Sequence, residues 1–254
     1  ETGYTTFATL LYHAYTAQNL KKNPKYSFSF SHDDKNILSE TLEDLENNQF
    51  PSSSTKIIRF PSSITLKYRK KGKIFAPGMS TTQFQNVTKE SITLNYYNCH
   101  DENISKNLQS VYDSKSYGNI LNVKLHENPI LSSIFNADKF IFLIDSTKLN
   151  VDIDHEYSSV ISFLTYYQTK IKHNENIPIS IILTKSDLLA QKLKTTTSSI
   201  VPQDILKKYM RNFMQKIFGA LLNSNILYLQ SFVKSPFDYA QDDYQDLIDW
   251  LLKN

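Results

Sequence analysis

Apolar positions recur along this chain with two periods, one near 3.6 residues and one of two, and the switches between them mark its elements. Phe7, Leu10, Leu11, Ala14 and Tyr15 fall on one helical face and predict a helix over residues 5–20. Residues 25–31 (KYSFSFS) alternate and predict a strand. Ile37, Leu38, Thr41, Leu42 and Leu45 return to helical spacing within 33–47, with Ser31 or Asp33 available as the cap. A loop, FPSSST at 50–55, follows. Strand signals then occupy 56–60, 64–68, 73–75 and 91–97, some of them separated by the turn signals Pro61-Ser62 and Lys71-Gly72. Together they predict an antiparallel excursion of the sheet. Residues 101–135 are polar and weakly periodic, and read as a long mobile connection with one short helix.

The second half has a simpler grammar. Residues 139–144 (KFIFLI) and 177–183 (IPISIIL) are continuous apolar runs, the pattern of strands buried on both faces. Between them, Val160, Phe163, Leu164 and Tyr167 predict a helix over 156–172. Pro202 stands where a helix opens. One apolar face then runs through Ile205, Leu206, Tyr209, Met210, Phe213, Met214, Ile217, Phe218 and Leu221. A strand at 226–229 and a last helix lined by Tyr244, Leu247, Ile248, Leu251 and Leu252 complete the series. Strands alternating with helices of this length predict an α/β fold with a mostly parallel sheet covered on both faces. No internal repeat or linker divides the 254 residues, which read as a single domain.

Composition narrows the function classes. The net charge is +3 and is dispersed, so no basic face for nucleic acid is expected. The densest cluster, Arg69, Lys70, Lys71 and Lys73 around Gly72, reads as a solvated hairpin tip. A single cysteine, Cys99, excludes an intrachain disulfide framework and points to a reducing, cytoplasmic setting. No apolar run is long enough for a membrane span, and no signal peptide is visible. Sequons at Asn86 and Asn103 carry little weight in an Asn-rich chain. The sixteen tyrosines and fifteen phenylalanines sit at core spacing and read as core.

In an open α/β sheet, ligands gather at the carboxyl ends of the strands, so the residues after each apolar run are the candidates for chemistry. After 177–183 comes Thr184-Lys185-Ser186-Asp187. It resembles the guanine-specificity motif N/T-K-x-D of P-loop GTPases. In that family the Asp carboxylate accepts hydrogen bonds from guanine N1–H and the 2-amino group, and the Lys stem lies along the base and ribose. A fixed paired acceptor rejects a base without those donors by orders of magnitude. The plain alternative is a polar turn with Asp187 capping the next helix. After 226–229 comes Gln230-Ser231-Phe232, where Ser231 matches the small residue whose backbone N–H meets guanine O6. Asp145 and Asp138 flank the 139–144 strand. Asp145 either faces the site or caps the next turn.

The phosphate-handling motifs depart from the family. Gly3-Tyr4-Thr5-Thr6-Phe7 is similar to the end of a Walker A loop, G-K-T-T-F, with Tyr4 in the place of the lysine. A charge-assisted bond of about 1.5–3 kcal/mol is thereby lost. Thr5 keeps a hydroxyl for Mg²⁺. The fold's first strand and earlier glycines would have to precede Gly3, so either they lie upstream of Glu1 or Gly3 matches by accident. Asn98-Cys99-His100-Asp101-Glu102 stands where the family has D-x-x-G-E: Asn98 carries no charge for the metal shell, and Asp101 turns a carboxylate toward phosphate. Cys99 beside His100, without further local ligands, is not a zinc site.

The order of helix, YSFSF, helix, FPSSST, strand-rich insert and degenerate D-x-x-G-E resembles the double-GTPase branch of TRAFAC-class GTPases, as does Leu247-Ile248-Asp249-Trp250-Leu251-Leu252. In that branch Thr55 or Ser54 would supply the switch I hydroxyl. The resemblance implies a nucleotide site of Gly3, Thr5, Thr184, Lys185, Asp187 and Ser231. It implies no catalytic residue, no metal ligand, and at most weakly bound GTP or GDP without a dependable Mg²⁺ site. The expectation is a pseudo-GTPase serving as a protein-interaction or scaffold module with protein partners. A divergent GTP-binding switch with slow hydrolysis is the alternative. An unrelated flavodoxin-like enzyme lacks its motifs: there is no G-x-S-x-G, C-x-x-C or G-x-G-x-x-G.

Overall fold

A computed structural model describes residues 4–20, 26–31, 35–47, 49, 62–74, 83–96, 132–134, 136–149, 178–220, 226–233 and 241–253. They divide into two units, one holding the described residues of 97–232 and the other those of 4–96 and 233–254.

In the second of these, α1 (Tyr4–Leu20) packs on α2 (Lys35–Glu46), on β1 (Tyr26–Ser31) and on the C-terminal helix α6 (Gln241–Leu251). The predicted stripe is the buried one: Phe7, Leu10, Leu11 and Tyr15 on α1, Leu38, Thr41 and Leu45 on α2, and Tyr244, Leu247, Ile248 and Leu251 on α6. The Phe7 and Tyr244 rings meet with centroids 6.0 Å apart. β1, β2 (Ser62–Ile74) and β3 (Gln83–Tyr96) form an antiparallel three-stranded sheet in that order. The antiparallel strands are therefore present, but among the described residues they form a sheet of their own and not an excursion of the parallel one.

One expectation fails here. Lys71-Gly72 is not a turn, and Arg69, Lys70, Lys71 and Lys73 are not a hairpin tip. They lie along β2, opposite β3, and the ladder shifts register between Lys70 and Lys71, passing over Val87. The extra residue is Val87 of β3, a bulge that the ladder absorbs without ending the pairing.

In the other unit, β4 (Phe140–Asp145), β5 (Ile179–Thr184) and β6 (Ile226–Ser231) form a parallel sheet in the order β4-β5-β6. All six residues of the middle strand are buried, whereas β4 is fully buried only at Ile144 and Asp145. The helices of this unit are α3 (Ser186–Leu193), α4 (Pro202–Tyr209) and α5 (Arg211–Ala220). α5 covers the sheet face that carries Phe142, whose ring meets Phe213 edge-on at 5.7 Å. The fold is thus α/β, with a parallel sheet at the heart of this unit.

The long apolar face that opens at Pro202 belongs to two helices, not one. Met210 breaks it with φ −129° and ψ 51°. The hydrogen bonds resume on either side, Met210 N donating to Leu206 O and Met214 N to Met210 O. The bend keeps Leu206, Met210, Phe213 and Met214 all buried, a set that periodicity alone reads as one straight stripe. The helix read at 156–172, the strand at 56–60, and nearly all of the connection at 101–135 lie outside the described residues. Among the described residues, no helix is long and apolar enough to cross a membrane.

Two substitutions test this packing. Ile181→Ala, at a fully buried position of β5, should cost about 2–5 kcal/mol in urea unfolding. Lys194 takes the left-handed conformation at the end of α3, with φ 52°. Lys194→Gly should therefore stabilise by about 0.5–1 kcal/mol. A null effect of the first, or a loss from the second, would contradict the assignment.

Candidate functional site

Parallel pairing in register brings three chain-distant residues into one row. Asp145 pairs with Thr184, and Thr184 with Ser231, each the last residue of its strand. All three are buried. Polar side chains in such a row need partners. Thr184 Oγ1 donates to Ile144 O at 3.3 Å, tying β5 to β4 where the chain leaves the sheet.

Lys185 follows at once, in the left-handed region with φ 56° and ψ 34°, and caps the N-terminus of α3. This costs a non-glycine residue roughly 1–2 kcal/mol. Its main chain is held from two directions. Leu188 N and Leu189 N donate to Lys185 O at 3.1 and 3.3 Å. The buried Ser146 hydroxyl donates to the same oxygen at 2.9 Å. The side chain is held as well, with Lys185 Nζ 2.7 Å from Asp145 Oδ2. Asp145 is 3% exposed in its side chain and Lys185 35%, so the pair has one buried member and one at the surface.

Asp145 does two things. Its Oδ1 accepts from Thr147 N at 3.0 Å and from Thr147 Oγ1 at 2.6 Å, capping the short 3-10 turn Ser146–Lys148. Its Oδ2 holds the lysine. Burial pushes the carboxyl upward, but the Lys185 and Thr147 hydrogen bonds and the Lys185 charge outweigh it and hold Asp145 below the ordinary 3.8. Of the two roles foreseen for this residue, the cap on the next turn is the one observed.

Asp187 lies in the first turn of α3, half-buried. Burial drives its carboxyl above the ordinary value, against the downward pull of the Leu188 and Asp187 backbone N–H groups and of Lys185. The helix N-terminus favours the anion. The net result is a partly desolvated carboxylate two residues from a lysine whose charge is engaged by Asp145.

The other sequence candidates separate. Ser231 completes the row at the end of β6, while Gln230 turns to the opposite face, where its Nε2 donates to Ile200 O at 2.8 Å. Thr5 is in the first turn of α1, in the other unit, its carbonyl accepting from Thr9 Oγ1 at 2.9 Å. Gly3, Ser54, Thr55, Asn98, Cys99, His100 and Asp101 lie outside the described residues. Asp138 is exposed and precedes β4, about 20 Å of strand from the row. Ser146 was not foreseen. Its only signal is the break from apolar to polar in FLIDST, just where a strand ends.

The pH response of the row follows from its sign. The folded Asp145 carboxyl lies below its unfolded value, so its stabilisation is full above about 3.8 and is lost as pH falls through the lower folded value. Asp145→Asn should cost about 1–2 kcal/mol at pH 7, less than for a fully buried pair because Lys185 still reaches water. The gap between wild type and variant in urea unfolding should close in acid below that value. A gap that is absent at pH 7, or does not change with pH, would contradict the pairing.

Compared with protein-family models, with curated proteins and with solved structures, the chain matches none.

Proposed function

We propose that this chain is a pseudo-GTPase: a GTPase-fold interaction module that keeps a guanine-reading turn and has lost the machinery for phosphate. The observation that carries the reading is the setting of residues 184–187. They leave the carboxyl end of a fully buried middle parallel strand, where ligands of α/β folds collect, with a strained cap and a half-buried carboxylate at a helix start. A polar surface turn needs none of these features.

In this reading, Asp187 accepts from guanine N1–H and the 2-amino group. Adenine offers neither donor there, so the same carboxylate would lose its solvation without return. The Lys185 stem lies beside the base while Asp145 holds its ammonium. Ser231, in the same row, supplies a backbone N–H toward O6. The phosphate side is weak by comparison: Tyr4 replaces a lysine, Asn98 an aspartate, and Asp101 a glycine. Affinity should then come mainly from the base and be modest, with little response to Mg²⁺. Such a domain serves a protein partner, with GTP or GDP as an occasional ligand.

The test is to denature the purified chain, analyse the released small molecules, and titrate GTP, GDP and ATP with and without Mg²⁺. Weak binding that prefers guanine, ignores Mg²⁺ and releases no phosphate is expected. Strong Mg²⁺-dependent GTP binding with turnover would instead make the chain a working switch, and equal binding of ATP would remove the guanine site. Asp187→Asn separates site from scaffold. Because its folded value is raised, Asp187 stabilises the fold only below the unfolded value and costs stability as pH rises through the folded one. The variant should therefore lose guanine preference at pH 7 with a Tm equal to or above wild type. A lowered Tm would mark Asp187 as a structural cap.

A further inference from the structure

The left-handed turn at Lys185 has to be held in place, and two consecutive residues outside α3 hold it. Ser146 Oγ reaches the Lys185 carbonyl at 2.9 Å. Asp145 Oδ2 reaches the Lys185 ammonium at 2.7 Å. The two grip opposite ends of one residue, the main-chain oxygen and the tip of the side chain. Both contacts span about forty residues of sequence and rest on the parallel register that sets Asp145 opposite Thr184. Thr147 in turn fixes the carboxylate through two bonds to Oδ1, which leaves Oδ2 for the lysine.

We propose that Asp145 and Ser146 form a positioning bracket that locks the Lys185 turn and so sets the aim of Asp187 two residues on. The bracket is a property of the fold. Its bearing on the base rests on the guanine reading above. Neither residue touches the ligand in this account; both act through Lys185. Two routes follow by which the site would loosen. Losing the hydroxyl frees the main chain of the turn, so that the backbone relaxes toward an ordinary conformation. Losing the carboxylate charge frees the lysine stem, which then no longer lies as a fixed wall beside the base.

The experiment uses the full chain and four forms: Ser146→Ala, Asp145→Asn, Lys185→Met and the double variant Asp145→Asn/Lys185→Met. Ser146→Ala removes one hydroxyl from a buried site and is the variant best able to fold. Amide hydrogen exchange at Leu188 and Leu189 should quicken by about tenfold in Ser146→Ala and in Asp145→Asn, the equivalent of ~1.4 kcal/mol of local opening. Adding Asp145→Asn to Lys185→Met should add almost nothing, since the partner is already gone. Where GDP binds, its preference over ADP should fall by about tenfold in both single bracket variants.

Exchange unchanged in Ser146→Ala would overturn the bracket, as would an Asp145→Asn effect of equal size with and without the Lys185 ammonium. A wild-type chain that binds no guanine nucleotide yet shows the coupled loosening would uphold the bracket and remove the guanine reading. A loss of GDP preference with no change in exchange would count against the bracket and leave the base site standing.

Discussion

A lysine in the left-handed conformation, at the point where the middle strand of a parallel sheet becomes a helix, is the constraint on which the site depends. The conformation is unfavourable for any residue with a Cβ. Where the chain leaves β4, the Ser146 hydroxyl donates to the lysine's carbonyl and Asp145 accepts from its ammonium. Without the register that places Asp145 beside Thr184, neither contact could form. The sheet therefore does more than bury apolar surface: it brings three strand ends into one row and fixes a polar turn at its centre.

The two carboxylates near that turn have opposite energetics. Asp145 is the more buried, yet its burial is outweighed by the lysine and the Thr147 bonds, so its charged form stabilises the fold. Asp187 has fewer compensations and is pushed the other way. One acid is tied into the architecture, and the other is partly desolvated with only backbone N–H bonds and a more distant lysine charge in compensation. Acids with raised values near the carboxyl ends of strands are candidates for ligand contact, because a ligand with the right donors relieves the cost of burial. That contrast is why the proposed base contact falls on Asp187 and not on Asp145.

Much of the fold was legible because its strongest signals are local. The stripes on α1, α2 and α6 follow from 3.6-residue spacing, and β4 and β5 from unbroken apolar runs. Residues 184–187 stood out because four polar residues followed such a run. What escaped was non-local or depended on backbone detail. Lys71-Gly72 looks like a turn by composition, but cross-strand pairing with β3 runs straight through it. The bend at Met210 is invisible because the residues on both sides continue one apolar stripe. The grip of Asp145 and Ser146 on Lys185 depends on a partner about forty residues away, which no pattern at residues 145–147 can reveal. The phosphate-side motifs are read from sequence alone.

The claim that residues 184–187 and Ser231 form one base-reading site is tested most directly by the isotope-labelled chain. Its amide resonances can be followed while GDP, and separately ADP, is added. GDP should shift the amides of residues 185–188 and of Ser231 together, along a single saturating curve, while ADP at the same concentration leaves them in place. If GDP leaves those amides unmoved, or ADP moves them equally, the row at the end of the parallel sheet is structural and the guanine reading is wrong.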